Sequence, residues 1–341
     1  MKPIAITVAL LCCFITPTYA QHGDDVDSLE YFSDQEDLEK ATVYLDNLIK
    51  MDPTSAALRM RRAEWLVKMR QFDEAKKEFT KVIEIDPAIW QAHGQRGSIY
   101  LNSKQYDSAI LDFTQIMGTS REVDSLTYSF RAYAYLESKN YKAASRDYDS
   151  IIRLRPKDPN LLNNRSYARE QLGDLKGALQ DVNDAIDADK TYVRAYGPRA
   201  LLYLRMGDRD EALASIEVYL KAYPRDEMAN CLAGELLSHK RDYENAIPHL
   251  TVCVQKEARK DAYLLRAMAY YNTGDCSAAI TDFLKILTFK LSAPEEAEAL
   301  YHIGVCKNRQ KPKSGCDYIR RAFQKGTYDE KQKHALLTEC Q

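Results

Sequence analysis

Several things are scarce in this 341-residue chain, and each scarcity removes a class of function. There is no excess of basic charge: the formal net charge is −2, so no basic face is available for a nucleic acid. No His or Cys pair sits at metal-ligand spacing; CxxC and HxxxH are both missing, and the six His are scattered. A phosphate-binding Walker loop and a GxSxG nucleophile elbow are also missing. We therefore expect no catalytic residue, no metal and no cofactor. Gly and Pro are few, 13 and 11, and sit at boundaries, which fits helices joined by short turns.

Long apolar runs are scarce too. The one at the start has Lys2, then an apolar stretch from Ile4 to Ile15, then Thr18-Tyr19-Ala20. This is the pattern of a cleaved secretory signal over residues 1–20, leaving a mature chain that begins at Gln21 in the periplasm or outside the cell. The stretch is too short for a membrane span. A lipoprotein reading competes, because Cys12 and Cys13 lie in the run, but Leu11 before Cys12 is not a lipobox residue. The acidic stretch Asp24 to Glu39 reads either as disordered or as capping the first helix.

What is present is repetition. Phe130-Arg131-Ala132-Tyr133-Ala134-Tyr135, Pro198-Arg199-Ala200-Leu201-Leu202-Tyr203 and Leu265-Arg266-Ala267-Met268-Ala269-Tyr270 are versions of one segment, and Gly94 to Tyr100 is another. Each is followed by a polar turn and an Ala, with a large apolar residue four positions later. The period is about 34 residues. Repeats start near Ala56, Trp90, Ser125, Pro159, Val193, Glu227, Lys260 and Ala297. A small residue recurs in the first helix (Ala63, Gly97, Ala132, Ser166, Ala200, Gly234, Ala267, Gly304). An Ala recurs in the second (Ala41, Ala75, Ala109, Ala144, Ala178, Ala212, Ala246, Ala279). Two antiparallel helices approach closely only where side chains are small. Pro53, Pro87, Pro156 and Pro224 end second helices because proline cannot donate to a helical hydrogen bond.

These positions together resemble the tetratricopeptide repeat (TPR) family over nearly the whole mature chain. The resemblance implies an all-α fold, a right-handed α-solenoid of antiparallel helix pairs. An acidic segment and degenerate first repeat would fill 21–55, eight repeats 56–326, and a capping helix 327–341. It also implies a protein-binding scaffold of the exported bacterial type, whose first helices line a concave groove. Carried over, groove positions include Arg61, Gln95, Tyr133, Asn160, Asn163, Asn164, Tyr167, Arg194, Arg205 and Tyr271, with Glu137 beside them. The Asn cluster with Arg194 is the most ligand-like, since Asn pairs with extended backbone and Arg forks onto a carboxylate. A generic solvated face is the plain alternative, and a self-associating homo-oligomer is the alternative to a scaffold.

Two further features come from the residues themselves. Arg62, Arg96, Arg131, Arg165, Arg199 and Arg266 precede the small residue, and Glu78, Asp112, Asp147, Asp181 and Asp282 recur in the second helix. This predicts a ladder of ion pairs, with an arginine track for an acidic peptide as the alternative. Arg and acid are absent together around Ala233 and Ser215. After signal removal six cysteines remain, all in the C-terminal third: Cys231, Cys253, Cys276, Cys306, Cys316 and Cys340. An even number in an exported chain suggests disulfides. Helix levels favour 231–253, 276–306 and 316–340, with Cys306–Cys316 as the rival and unpaired buried thiols as the plain reading.

Overall fold

The computed structural model describes residues 35–119, 125–255 and 259–326, together with residue 340. The leader, Gln21 and most of the expected capping helix lie outside the described residues. Among those described there are seventeen α-helices and no strand. They fall into two compact units, 1–190 and 191–341.

The first unit holds α1 (Gln35–Met51), then four antiparallel pairs: α2 (Ala56–Lys68) with α3 (Phe72–Ile85), α4 (Trp90–Asn102) with α5 (Tyr106–Thr119), α6 (Ser125–Glu137) with α7 (Tyr141–Leu154), and α8 (Pro159–Gln171) with α9 (Leu175–Ala188). The second unit opens with a 3₁₀ turn (Val193–Ala195). Its pairs are α10 (Tyr196–Met206) with α11 (Arg209–Ala222), α12 (Glu227–His239) with α13 (Tyr243–Cys253), α14 (Lys260–Thr273) with α15 (Cys276–Ile286), and α16 (Ala293–Gln310) with α17 (Cys316–Lys325). Within each unit every helix packs on the one before and the one after it, which is an all-α repeat solenoid.

Local chemistry sets the boundaries. Ser55, Asn140, Asp158, Asp174, Asp226 and Asp275 cap helices by accepting a backbone N–H of the first turn. Each pair turns through a left-handed residue: Gly173, Gly207 and Gly274 in three, and Arg70, Lys104, Lys139, Arg241 and Lys313 in the others. Two starts differ from the expected ones. The last first helix begins at Ala293, not Ala297, because Ser292 and Glu295 form a capping box there. The repeat expected at Val193 opens with the 3₁₀ turn, and its α-helix begins at Tyr196.

Close packing explains the small residues. A Cβ on Gly97 would meet the Phe113 ring at 3.1 Å and the Asp112 Cβ at 3.2 Å. In the last pair Gly304 lies against Gly315, whose carbonyl oxygen would be 2.9 Å from a Gly304 Cβ; this glycine contact replaces the Ala step. Phe79, Phe113, Tyr148 and Phe283, the large residues four positions after each Ala, are fully buried.

The arginines form the ladder. Arg96 donates to both Asp112 oxygens (2.7 and 2.9 Å), Arg131 to both of Asp147 (2.8 Å each) and Arg266 to both of Asp282 (2.7 Å each). Arg165 holds Asp181 in the same fork (2.5 and 2.9 Å), and Arg62 pairs with Glu78 at 2.8 Å. In the first unit each arginine also reaches the preceding second helix. Arg96 Nη1 donates to Thr80, Arg131 Nη1 to Thr114 and Arg165 Nη1 to Asp149, and Arg62 lies 2.7 Å from Asp46. Tyrosines three before and four after flank the guanidinium: Tyr128 and Tyr135 around Arg131, Tyr263 and Tyr270 around Arg266. Arg and acid do not vanish together at Ser215. Arg199 remains, with Nε on the Ser215 hydroxyl and the Tyr196 ring 4.5 Å away.

Two disulfides are formed, Cys231–Cys253 between α12 and α13, and Cys316–Cys340. The third expected bridge is corrected: Cys276 and Cys306 are buried free thiols. They lie in one apolar cluster with Phe283 and Ile303, and burial, with Cys276 beside it, pushes the Cys306 thiol up to about 12.

The ladder makes a quantitative claim. Arg131→Ala strands a buried Asp147 carboxylate and should cost about 3 kcal/mol of unfolding free energy. Arg199→Ala leaves only a neutral hydroxyl behind and should cost about 1 kcal/mol. Denaturant unfolding of the two variants checks the difference; equal costs would remove the carboxylate from the explanation.

Candidate functional site

Ladder arginines project between second helices, so they are not presented for a ligand. The face of the first helices carries other side chains, and each unit can be followed by itself.

In the first unit, α5, α6, α7 and α8 bring together a cluster of phenols around one carboxylate. Glu137 ends α6. Tyr106, the first residue of α5, donates its hydroxyl to Glu137 Oε2 at 3.3 Å. Tyr133 lies one turn before Glu137 on the same helix, close enough to feel its charge. Tyr141 opens α7 and meets Tyr167 of α8 edge-on, ring centroids 6.2 Å apart. Tyr148 lies beneath, fully buried beside the Asn164 amide, at a geometry short of a hydrogen bond. The Asn164 Oδ1 is buried with no hydrogen-bond partner among the described residues.

The electrostatics of this cluster are negative. Burial, then the Glu137 charge, pushes the Tyr133 phenol up to about 12. Burial, with Glu137 behind it, raises Tyr106. Tyr148 is raised chiefly by burial, and Tyr167 by burial and by Tyr141, Glu170 and Glu137. No lysine or arginine is among the groups that shift Tyr106 or Tyr133.

The expected groove residues divide. Tyr133 and Tyr167 come together in this cluster, with Glu137. Asn160 is exposed at the start of α8. Gln95, Asn163 and Asn164 are corrected: all three are buried, at 3%, 7% and 2% exposure, so none presents a contact surface, and Asn164 lies beneath the phenols rather than among them. Arg61 is half-buried and 3.8 Å from Glu64. The sequence reading missed Tyr106, Tyr141 and Tyr148. A signal was there: an aromatic opens the second helix at Phe72, Tyr106, Tyr141 and Tyr243.

In the second unit, Arg194 is exposed and donates Nε to the Tyr223 hydroxyl at 3.4 Å. The Tyr223 ring lies tilted against Tyr219, centroids 4.7 Å apart, and the Tyr219 hydroxyl donates to Asp226 at 3.0 Å. Arg205 is exposed near the end of α10. Tyr271 is covered: the Arg309 guanidinium lies 4.5 Å from its ring centroid and donates to its hydroxyl at 3.2 Å. His302 stacks on Phe283 and meets Tyr271 edge-on; burial, with Arg309 adding, holds it down to about 4, so it is neutral at ordinary pH. Among the described residues no group of three His, Cys, Asp or Glu could hold a metal ion, and no helix is long and apolar enough to cross a membrane.

Comparison with known proteins identifies the repeat. Tetratricopeptide repeat patterns match residues 33–95, 131–192 and 198–261. The chain belongs to the tetratricopeptide repeat family. Among solved structures, the C-terminal part of a TPR repeat-containing protein from Cytophaga hutchinsonii aligns over 72% of this chain and 99% of its own, with a TM-score of 0.59 at 16% identity. A tetratricopeptide repeat protein from Parabacteroides merdae aligns over 79% of this chain and 98% of its own, with a TM-score of 0.52 at 16% identity. These likenesses are of fold alone. Rat serine/threonine-protein phosphatase 5 is 31% identical over 132 residues, 38% of this chain and 26% of the phosphatase. Hsp70-Hsp90 organizing protein 2 of Arabidopsis thaliana is 26% identical over 93 residues, 27% of this chain and 16% of its own. The match thus spans only 26% and 16% of the length of these two relatives. Its repeats supply a protein-interaction scaffold.

The carboxylate–phenol contact can be read by titration. Glu137→Gln removes the charge that disfavours phenolate, so the Tyr133 phenol should titrate lower than about 12, yet still above an ordinary tyrosine, because burial is the larger cause. NMR of labelled tyrosine rings across alkaline pH checks this; an unchanged midpoint would place Glu137 away from Tyr133.

Proposed function

We propose that the chain is an exported, non-catalytic scaffold that holds an extended segment of a partner protein on the first-helix face of its first unit. The observation that carries this reading is the half-buried cluster of Tyr106, Tyr133, Glu137, Tyr141 and Tyr167. Phenols offer large, stiff contact surfaces with a polar tip, and these five side chains are only partly buried, so a partner can reach them. Ladder arginines are already satisfied by their own acids, which argues against an arginine track for an acidic peptide.

Export is supported by the signal-like leader and by the Cys231–Cys253 and Cys316–Cys340 disulfides, which suit an oxidising compartment. The names of the chaperone-organising relatives fit a scaffold role, although the match covers little of those proteins.

Purification of the tagged chain from its own cells tests both parts. The mature protein should have the mass of a chain starting at Gln21, and it should bring down partners that a Tyr133→Ala/Tyr167→Ala variant of similar melting temperature loses. Retention of Met1 would refute export. Recovery of the same partners by the variant, or of further copies of this chain alone, would refute the binding face.

A further inference from the structure

We propose that the pocket formed by Tyr106, Tyr133 and Glu137 receives a cationic side chain, lysine or arginine, of the bound polypeptide. The proposal rests on the first-helix face of the first unit being the binding surface and adds the chemistry it selects.

Glu137 is treated differently from the ladder acids of its unit. Glu78 meets Arg59, Arg62 and Lys81. Asp112 meets Arg96, Asp147 meets Arg131, and Asp181 meets Arg165 and Arg169. Each therefore has its charge balanced inside the fold. Glu137 accepts a hydrogen bond from the Tyr106 phenol and has the Tyr133 phenol beside it, and neither phenol carries a countercharge. Its field reaches Tyr148 and Tyr167 as well, so the negative potential spreads over the cluster.

A carboxylate can accept about four hydrogen bonds, and two phenols leave acceptor capacity over. The rings add a second attraction, since the face of a tyrosine is negative and draws an ammonium or guanidinium. A cation in this pocket would gain both, in surroundings that exclude part of the water that weakens such contacts. An acidic side chain would meet like charge. The same unit shows the chemistry on itself: Arg131 lies between the rings of Tyr128 and Tyr135 while forking onto Asp147. Tyr106, Tyr133 and Glu137 offer the same kinds of group, two phenols and a carboxylate.

The test titrates the intact chain with capped, extended Gly/Ser peptides that carry Lys, Arg, Gln or Glu at the centre, read by tyrosine-ring NMR. The Lys and Arg peptides should bind about ten-fold more tightly than the Gln peptide, with shifts at Tyr106 and Tyr133, and the Glu peptide more weakly still. Glu137→Gln, which changes shape little and should melt with the wild type, should erase the Lys and Arg preference while keeping the Gln peptide's affinity. Equal binding of Lys, Arg and Gln, a preference for Glu, or a cation preference that survives Glu137→Gln would overturn the pocket and leave the binding face standing. If no peptide binds but the Tyr133/Tyr167 variant still loses captured partners, the pocket is likewise wrong and the face stands. If no peptide binds and capture is unaffected by that variant, both fail.

Discussion

The fork of an arginine onto a second-helix carboxylate is the contact on which the first unit depends. Small residues bring the two helices of a pair close around one large apolar side chain, such as Phe113, but supply no directed contact of their own. One guanidinium per pair closes the seam to its own second helix and reaches the preceding one through Nη1. Flanking tyrosines shield the pair from water. In the second unit the device thins out. Arg199 has a serine in place of an acid, α12 has Ala233 in place of the arginine, and Asn230 bonds His249 instead. There the Cys231–Cys253 disulfide joins α12 to α13, the pair that lacks the fork.

Because the ladder takes up its own acids, an acid left outside it stands out. Glu137 is such a residue: it ends a first helix, on the face that faces away from the ladder, and its partners are phenols. The same sequence rule that builds the solenoid thereby separates structural charge from charge available to a partner.

Much of the fold was legible because its signals repeat. A small residue, an Ala and a large apolar residue recurring together can be met only by stacked helix pairs, and the spacing of Arg and acid gives the forks. The site was less legible. Tyr133, Glu137 and Tyr167 follow from family positions, but Tyr106 and Tyr141 come from the starts of second helices, and their convergence depends on how consecutive pairs pack. Gln95 and Asn163 sit at groove positions by count, yet close packing against small neighbours buries them. For Cys276 and Cys306, helix level correctly brings the sulfurs together, but level alone does not fix their redox state, and the structure has two thiols. The start at Ala293 was missed because the Ser292–Glu295 capping box precedes the first repeat-like residue.

The ladder claim is tested most directly by a double-mutant cycle on Arg131 and Asp147, each replaced by Ala singly and together, with unfolding free energies measured in denaturant. The account predicts a coupling of at least about 1.5 kcal/mol, with the double variant more stable than the sum of the single losses implies. A coupling near zero would mean that the fork is incidental to stability, and the account would fail.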